Sequence, residues 1–210
     1  MKLKDKVYVY LEDEIINNNL KSGDPIVETN IANILNISRT PVREALNELE
    51  SDGLVVSYPG KGTFVRKITT KDIEDIYNVR TQLELLALNL SFEDLDINVM
   101  RNFKNKYLKL ENKFSWEDAR KLDYEFHDYI VSTSNNPTLS EILDKLNNQI
   151  KRYRTIASKE SDRSNKTLIE HNRIIDSIIS NNKESSLINL EKHLESVKDS
   201  AIEVSLKNNL

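Results

Sequence analysis

Cysteine is absent from these 210 residues, which excludes disulfides, thiolate metal sites, iron–sulfur clusters and cysteine nucleophiles. Any metal must therefore rest on His, Asp or Glu. Histidine is itself scarce at three copies, and the chain has only four glycines and four prolines. A sequence this poor in Gly and Pro has few places to turn tightly, so those residues mark its organisation. Long apolar runs are missing too. None approaches the roughly 18 residues needed to span a bilayer, and the opening MKLKDKVYVYLEDEII mixes charge with apolar residues where a signal peptide would build a core. The expectation is a cytoplasmic protein with no membrane partner. The formal charge of -4 gives no overall pull toward nucleic acid, so any basic surface must be local. With 38% hydrophobic residues the chain can bury one large core or two modest ones.

Gly53, Gly60 and Gly62 crowd together beside Pro59, the one region dense in turns. Short helical patterns precede it, and five or more long amphipathic ones follow, broken chiefly at Asn135-Asn136-Pro137 and near Ser161 to Asn165. No repeat of solenoid spacing is present. This division predicts a mainly α protein: a small domain over 1–66, a linker over 67–71 and an all-helical domain over 72–206.

In the small domain, Val7, Leu11, Ile15 and Ile16 form a helical stripe that ends before KSGDP. Glu28 to Leu35 predicts a short second helix with Ile31, Ile34 and Leu35 inward. After a break at Asn36-Ile37-Ser38, Val42, Ala45, Leu46 and Leu49 recur at i, i+3, i+4 and i+7, the core face of a third helix. Arg39, Arg43 and Asn47 then lie on another face, toward water or a ligand. Pro41 falls in the first turn, where a missing N–H costs little, and Ser38 or Thr40 can cap the end. Gly53 stops the helix. Leu54-Val55-Val56 and Thr63-Phe64-Val65 read as two strands joined through Tyr58-Pro59-Gly60-Lys61-Gly62, a hairpin with a lysine at its tip. Two helices, a short turn and a hairpin wing make a winged helix-turn-helix, whose second helix can enter a major groove while the wing reaches backbone or minor groove.

The stretch SRTPVREALNELESDGLV followed by GKGTFV resembles the winged-helix signature of the GntR family of bacterial transcription regulators, over about residues 5–66. The resemblance implies DNA contacts by Arg39, Thr40 and Arg43, with Gly60 to Gly62 as the wing tip; Asn47 shares the exposed face and Lys61 the tip. One departure stands out. Many relatives carry an arginine early in the second helix, where this chain has Glu28-Thr29-Asn30, which implies an altered operator preference. A shallow salt dependence is expected from so few basic residues.

All three histidines lie in the helical half. On the pattern Trp116, Ala119, Leu122, Phe126, Ile130, Asp123 points into an apolar face and His127 to its edge. Their i,i+4 spacing puts both on one side of a helix. His171 sits among Leu168, Ile175 and Ile178, and His193 borders Leu190, Leu194 and Val197. Inward polar groups are costly unless paired, and three imidazoles with one carboxylate suit Zn, Ni, Mn or Fe.

The segments LDYEFHDYIVSTSNNPTL, LIEHNRIIDSII and LEKHLESV resemble the ligand-binding FCD domain of the FadR-type subgroup of GntR regulators, over about residues 72–206 and with the compact length of its six-helix, VanR-like branch. The resemblance implies that Asp123, His127, His171 and His193 hold a divalent metal and that a small carboxylate binds beside it. Arg80 corresponds to an arginine frequent in the family and is the candidate effector contact, against an Arg80–Glu84 pair on a solvent face; Arg152 and Arg154 are weaker candidates. The function implied is a homodimeric transcription switch, a repressor relieved by its effector, on palindromic double-stranded operator DNA. Two other readings share the residues: a metal-dependent enzyme, with Glu125 or Asp128 as general base, and a bundle whose metal is purely structural.

Overall fold

The computed structural model describes residues 2–67, 69–112, 114–160 and 163–207, and within them every side chain except those of 112, 116, 148, 150, 152–160 and 163–165. Helix α1 spans Leu3–Ile16 and buries the expected Val7, Leu11, Ile15 and Ile16. A two-residue strand, β1 (Pro25–Ile26), leads to α2 (Glu28–Leu35) and then α3 (Arg39–Ser51). Between the helices Asn36 takes a left-handed conformation at φ 52°, which sharpens the turn. On α3 the four residues predicted for the core, Val42, Ala45, Leu46 and Leu49, are the buried ones. Ser38 is the N-cap residue, although its side chain accepts no capping bond.

Strands β2 (Val55–Tyr58) and β3 (Gly62–Val65) pair antiparallel, with Val55 opposite Val65 and Tyr58 opposite Gly62. The sheet order is β1-β3-β2. Sequence reasoning did not find β1, because two residues are too short for an alternating pattern and Pro25 reads as a turn; as an edge-strand residue the proline loses nothing. At the hairpin tip Gly60 and Gly62 adopt φ of 73° and 98°, where any Cβ is strained although space is open around both. One expectation fails in α2. Ile34 is 63% exposed, and Ala32 is buried with Ile31. At about 100° per residue the direction shared by Ile31, Ala32 and Leu35 leaves Ile34 roughly 100° off the core.

Among the described residues there follow α4 (Thr70–Ser91), then a 3-10 turn, α5 (Ile97–Asn112), α6 (Trp116–Thr133), α7 (Pro137–Glu160), α8 (Arg163–Ile179) and α9 (Lys183–Lys207). Helix α4 begins within the stretch expected as a linker. Thr69 and Asp72 form a capping box, so Thr70 and Lys71 are already helical. Asn136 before α7 accepts a bond from the Leu139 amide, fixing that helix start as expected from Asn-Pro. α4 packs along α9 and crosses α6 and α7, while α8 lies between α5 and α9. Two main cores result: one gathers Val7 to Val65, the other Ala87 to Leu194, with a small cluster of Ile73, Tyr77 and Ala201 beside the second. Helix α7 also touches α1, and Lys151 Nζ meets Glu12 Oε1 at 3.1 Å. Among the described residues no helix is long and apolar enough to cross a membrane.

Candidate metal centre and nucleic-acid interface

Asp123 and His127 stand one turn apart on α6, His171 comes from the middle of α8 and His193 from α9. The helix packing brings these four side chains to one point, where one donor atom of each lies within 4.8 Å of the others. All four are buried, His171 and His193 completely. His171 Nε2 is 3.3 Å from His127 Nε2 and 3.3 Å from Asp123 Oδ1, and His127 Nε2 is 3.8 Å from that oxygen. Two atoms bound to one ion at about 2.1 Å sit about 3.0–3.4 Å apart, so the spacing suits a shared cation. Aromatic rings wall the cluster: Tyr107 stacks on His171 with centroids 4.8 Å apart, and Phe126 meets it edge-on.

The other imidazole nitrogens orient the rings. His127 Nδ1 meets Glu84 Oε2 at 2.5 Å, His171 Nδ1 the Thr167 carbonyl at 2.9 Å, and His193 Nδ1 Glu170 Oε2 at 2.9 Å. Each of these oxygens can only accept when the carboxylates are ionised, so each Nδ1 donates, and in the neutral imidazoles each Nε2 then keeps its lone pair. The cluster thus collects lone pairs and a carboxylate oxygen, which repel one another unless a cation lies among them. The donor chemistry fits a metal. Glu84 and Glu170 were not identified as orienting residues from sequence. Glu170 directly precedes His171, and Glu84 was considered only as a surface partner of Arg80.

Arg80 corrects that last expectation. Its ion pair with Glu84 exists, with Nε donating to Oε1 at 2.5 Å, but both side chains are buried, Arg80 to 1% exposure. Packing of α6, α7 and α9 against α4 turns the Tyr77, Arg80 and Glu84 face inward. Burial disfavours the guanidinium charge, yet Glu84, Tyr77 and Asp123 together outweigh it and hold the Arg80 pKa above its ordinary value. Its Nη1 is buried with no hydrogen-bond partner. A narrow cleft of about 10 Å³, room for about one water, lies here, lined by Arg80, Glu84, Tyr124, His127, Asp128, Val131, Leu143, Asp144 and Asn147. Burial and the neighbouring Asp144 push the Asp128 carboxyl upward. Glu125, the other candidate base, is held by Lys106 at 3.0 Å. The side chains of Arg152 and Arg154, and of Trp116, lie outside the described residues.

On the N-terminal part, α3 presents Arg39, Thr40, Arg43 and Asn47 to solvent, outside its buried stripe. The tip residues Gly60, Lys61 and Gly62 are exposed as well. Tyr8 donates to Asp52 at 2.6 Å, tying α1 to the end of α3, and burial with that bond pushes the phenol pKa upward. Glu50 accepts from the Ser57 amide at 2.6 Å and ties β2 to α3. The two arginines are not isolated. Glu28, at the start of α2, accepts from Arg39 Nη2 at 2.8 Å and Nε at 3.3 Å, and from Arg43 Nε and Nη2 at 3.0 Å each. Hydrogen bonds from Arg43 and Arg39 pull the Glu28 carboxyl down to about 2. Sequence reasoning noticed Glu28 only as the place of a missing arginine.

The sequence was compared with known proteins. The family of bacterial regulatory proteins described as gntR matches residues 3–65, and the FCD domain matches residues 75–196. The HTH-type transcriptional regulator YdhC of Bacillus subtilis (strain 168) is 31% identical over 183 residues, covering 85% of this chain and 82% of that one. The Nta operon transcriptional regulator of Aminobacter aminovorans is 30% identical over 200 residues, covering 90% and 93%. The solved structure of E. coli McbR/YncC shares the fold, with a TM-score of 0.76 over 100% of both chains at 21% identity. A winged head with an exposed arginine pair, a helical body with a buried Asp/His cluster and two family matches in the same order agree: the chain belongs to the gntR family of bacterial regulatory proteins, in the group that carries an FCD domain, and is a transcriptional regulator.

Proposed function

We propose that this protein is a cytoplasmic, homodimeric repressor whose grip on a palindromic operator is set by a small carboxylate bound at a metal in the helical part. The functional units are a DNA-binding domain over 1–66 and an effector-binding, dimerising domain over 72–206, joined through 67–71. The observation that carries the reading is the convergence of Asp123, His127, His171 and His193 beside the buried, unpartnered Nη1 of Arg80. FCD domains bind metal and small-molecule effectors, and this cluster is the one group of that kind among the described residues.

In this reading the four residues hold a divalent metal (Zn, Ni, Mn or Fe), which when bound supplies a positive, electrophilic centre for an anion. Glu84, Thr167 and Glu170 keep each Nε2 directed at the ion. Arg80, half-satisfied by Glu84, offers Nη1 to the carboxylate of the effector. At the other end of the molecule Arg39, Thr40, Arg43 and Asn47 enter the major groove, and Gly60, Lys61 and Gly62 carry the wing to the adjoining backbone. Dimerisation uses α4, whose Val79, Leu86 and Leu90 are 43–49% exposed on one stripe. Helix α7 links sensing to binding, because it contributes Leu143, Asp144 and Asn147 to the cleft and, one turn on, Lys151 to the pair with Glu12.

The test is selection from randomised duplexes by purified protein, with and without added Zn, followed by titration of the enriched duplex in a panel of small mono-, di- and tricarboxylates. Enrichment of a palindrome, released by one of these acids only in the metal-loaded protein, is the expected result. Absence of any enriched sequence in every metal state overturns the proposal, as does stoichiometric metal retained by His171→Ala.

A further inference from the structure

Arginines that read guanine do so through the Nη1–Nη2 edge of the guanidinium, which pairs bidentately with O6 and N7. A free arginine on a helix surface spreads over many rotamers, so ordering it on the base costs conformational entropy. In this protein the adjacent Nε–Nη2 edge of each guanidinium is already taken. Arg43 presents Nε and Nη2 to Oε1 and Oε2 of Glu28, and Arg39 presents Nε and Nη2 to Oε2. One carboxylate therefore grips both arginines from the side and leaves both Nη1 groups and the outer N–H of each Nη2 for another partner. The arginine side chains remain 58% and 63% exposed while Glu28 is 23% exposed, so the anion lies behind its two cations.

We infer that Glu28 is a specificity-determining positioning residue: it fixes Arg39 and Arg43 as a rigid pair with their base-reading edges outward, and its charge weakens their attraction to phosphate of any sequence. The inference rests on the DNA-reading role assigned above to the two arginines. Its physical content is a division of effects. A carboxylate behind the pair takes one unit of positive charge out of the footprint, which lowers affinity for all duplexes alike. Fixed geometry does the reverse for the right sequence alone, because ordering is settled before the base is met. Removing Glu28 must then raise non-specific binding and reduce discrimination together. A carboxylate whose role is only to stabilise the fold would change neither.

The experiment uses the full-length protein, the duplex that wild type enriches from a random pool, and a shuffled duplex of the same composition. Glu28→Gln is expected to bind the shuffled duplex a few-fold more tightly and to steepen the logarithmic salt dependence by about one. Its ratio of enriched to shuffled affinity should fall about tenfold. Glu28→Asp keeps the charge but retracts the carboxylate, and should hold the wild-type salt slope while losing discrimination. Thermal melts of both variants establish that they fold, and Arg43→Ala tests the underlying role. Loss of discrimination in Arg43→Ala with an unchanged ratio in Glu28→Gln overturns the role of Glu28 alone. Equal tightening on both duplexes also overturns it, leaving Glu28 a counter-charge. Wild-type discrimination retained by Arg43→Ala sinks the arginine assignment, and the inference with it.

Discussion

Among the described residues an arginine meets a glutamate at two depths. Glu28 holds Arg39 and Arg43 at the surface of the head; Glu84 holds Arg80 inside the helical body. In water an ion pair is screened and contributes little to stability, so the surface cluster is free to be shaped by what it binds. In the body the charges have left water. Desolvation must be offset by every available partner, which is why Glu84 also accepts from His127. Depth thus separates an exposed cluster that the fold hardly depends on from a buried pair that it does depend on.

The largest effect that tests this contrast is Glu84→Ala, which takes from the buried Arg80 its ion-pair partner and from His127 its acceptor. A loss of about 3–5 kcal/mol in urea unfolding is expected, whereas Glu28→Ala should cost about 1 kcal/mol or less. Equal destabilisation by the two would break the comparison. Next in size, Glu170→Gln keeps the fold but loosens His193, and metal affinity measured by chelator competition should fall about 10–100-fold. An unchanged affinity would show that His193 is not oriented through Nδ1. Lys151→Glu places like charges across the contact between α7 and α1; its stability cost should stay within about 1 kcal/mol, while the release of DNA by effector weakens. If release is unaltered, α7 is not the link. The smallest effect concerns pH. With its carboxyl lowered from 4.5 to about 2, Glu28 contributes stability that is fully present above about pH 4.5 and is lost as pH falls through about 2. The melting difference between wild type and Glu28→Gln should therefore narrow from pH 6 to pH 3; a constant gap would mean the pair does not form in solution.

Much of this architecture was legible in the residues because its signals are local. The i, i+3, i+4, i+7 spacing from Val42 to Leu49, the Asn-Pro start of α7 and the glycines of the hairpin each act within a turn or two. The candidate metal cluster could be assembled from helix faces, since Asp123, His127, His171 and His193 each break an apolar stripe. What sequence could not supply was the partner of each polar group. Glu84 looks like any surface glutamate four residues from an arginine until α6, α7 and α9 close over it. Glu28 lies eleven residues from Arg39 and fifteen from Arg43, a separation at which only the fold decides contact. The misread Ile34 has the same origin, because a helix of eight residues fixes its buried direction by what packs on it.

Helix α7 has a mechanical consequence. From Leu143 at the cleft to Lys151 at the head, the hydrogen-bonded rod advances only about 12 Å. A stiff strut of that length turns as one body, so one extra residue spliced after Asn147 would swing Lys151 roughly 100° around the axis without unwinding either end. If α7 is the link proposed above, such an insertion should yield a protein that still docks on its operator but whose grip no longer answers to the effector.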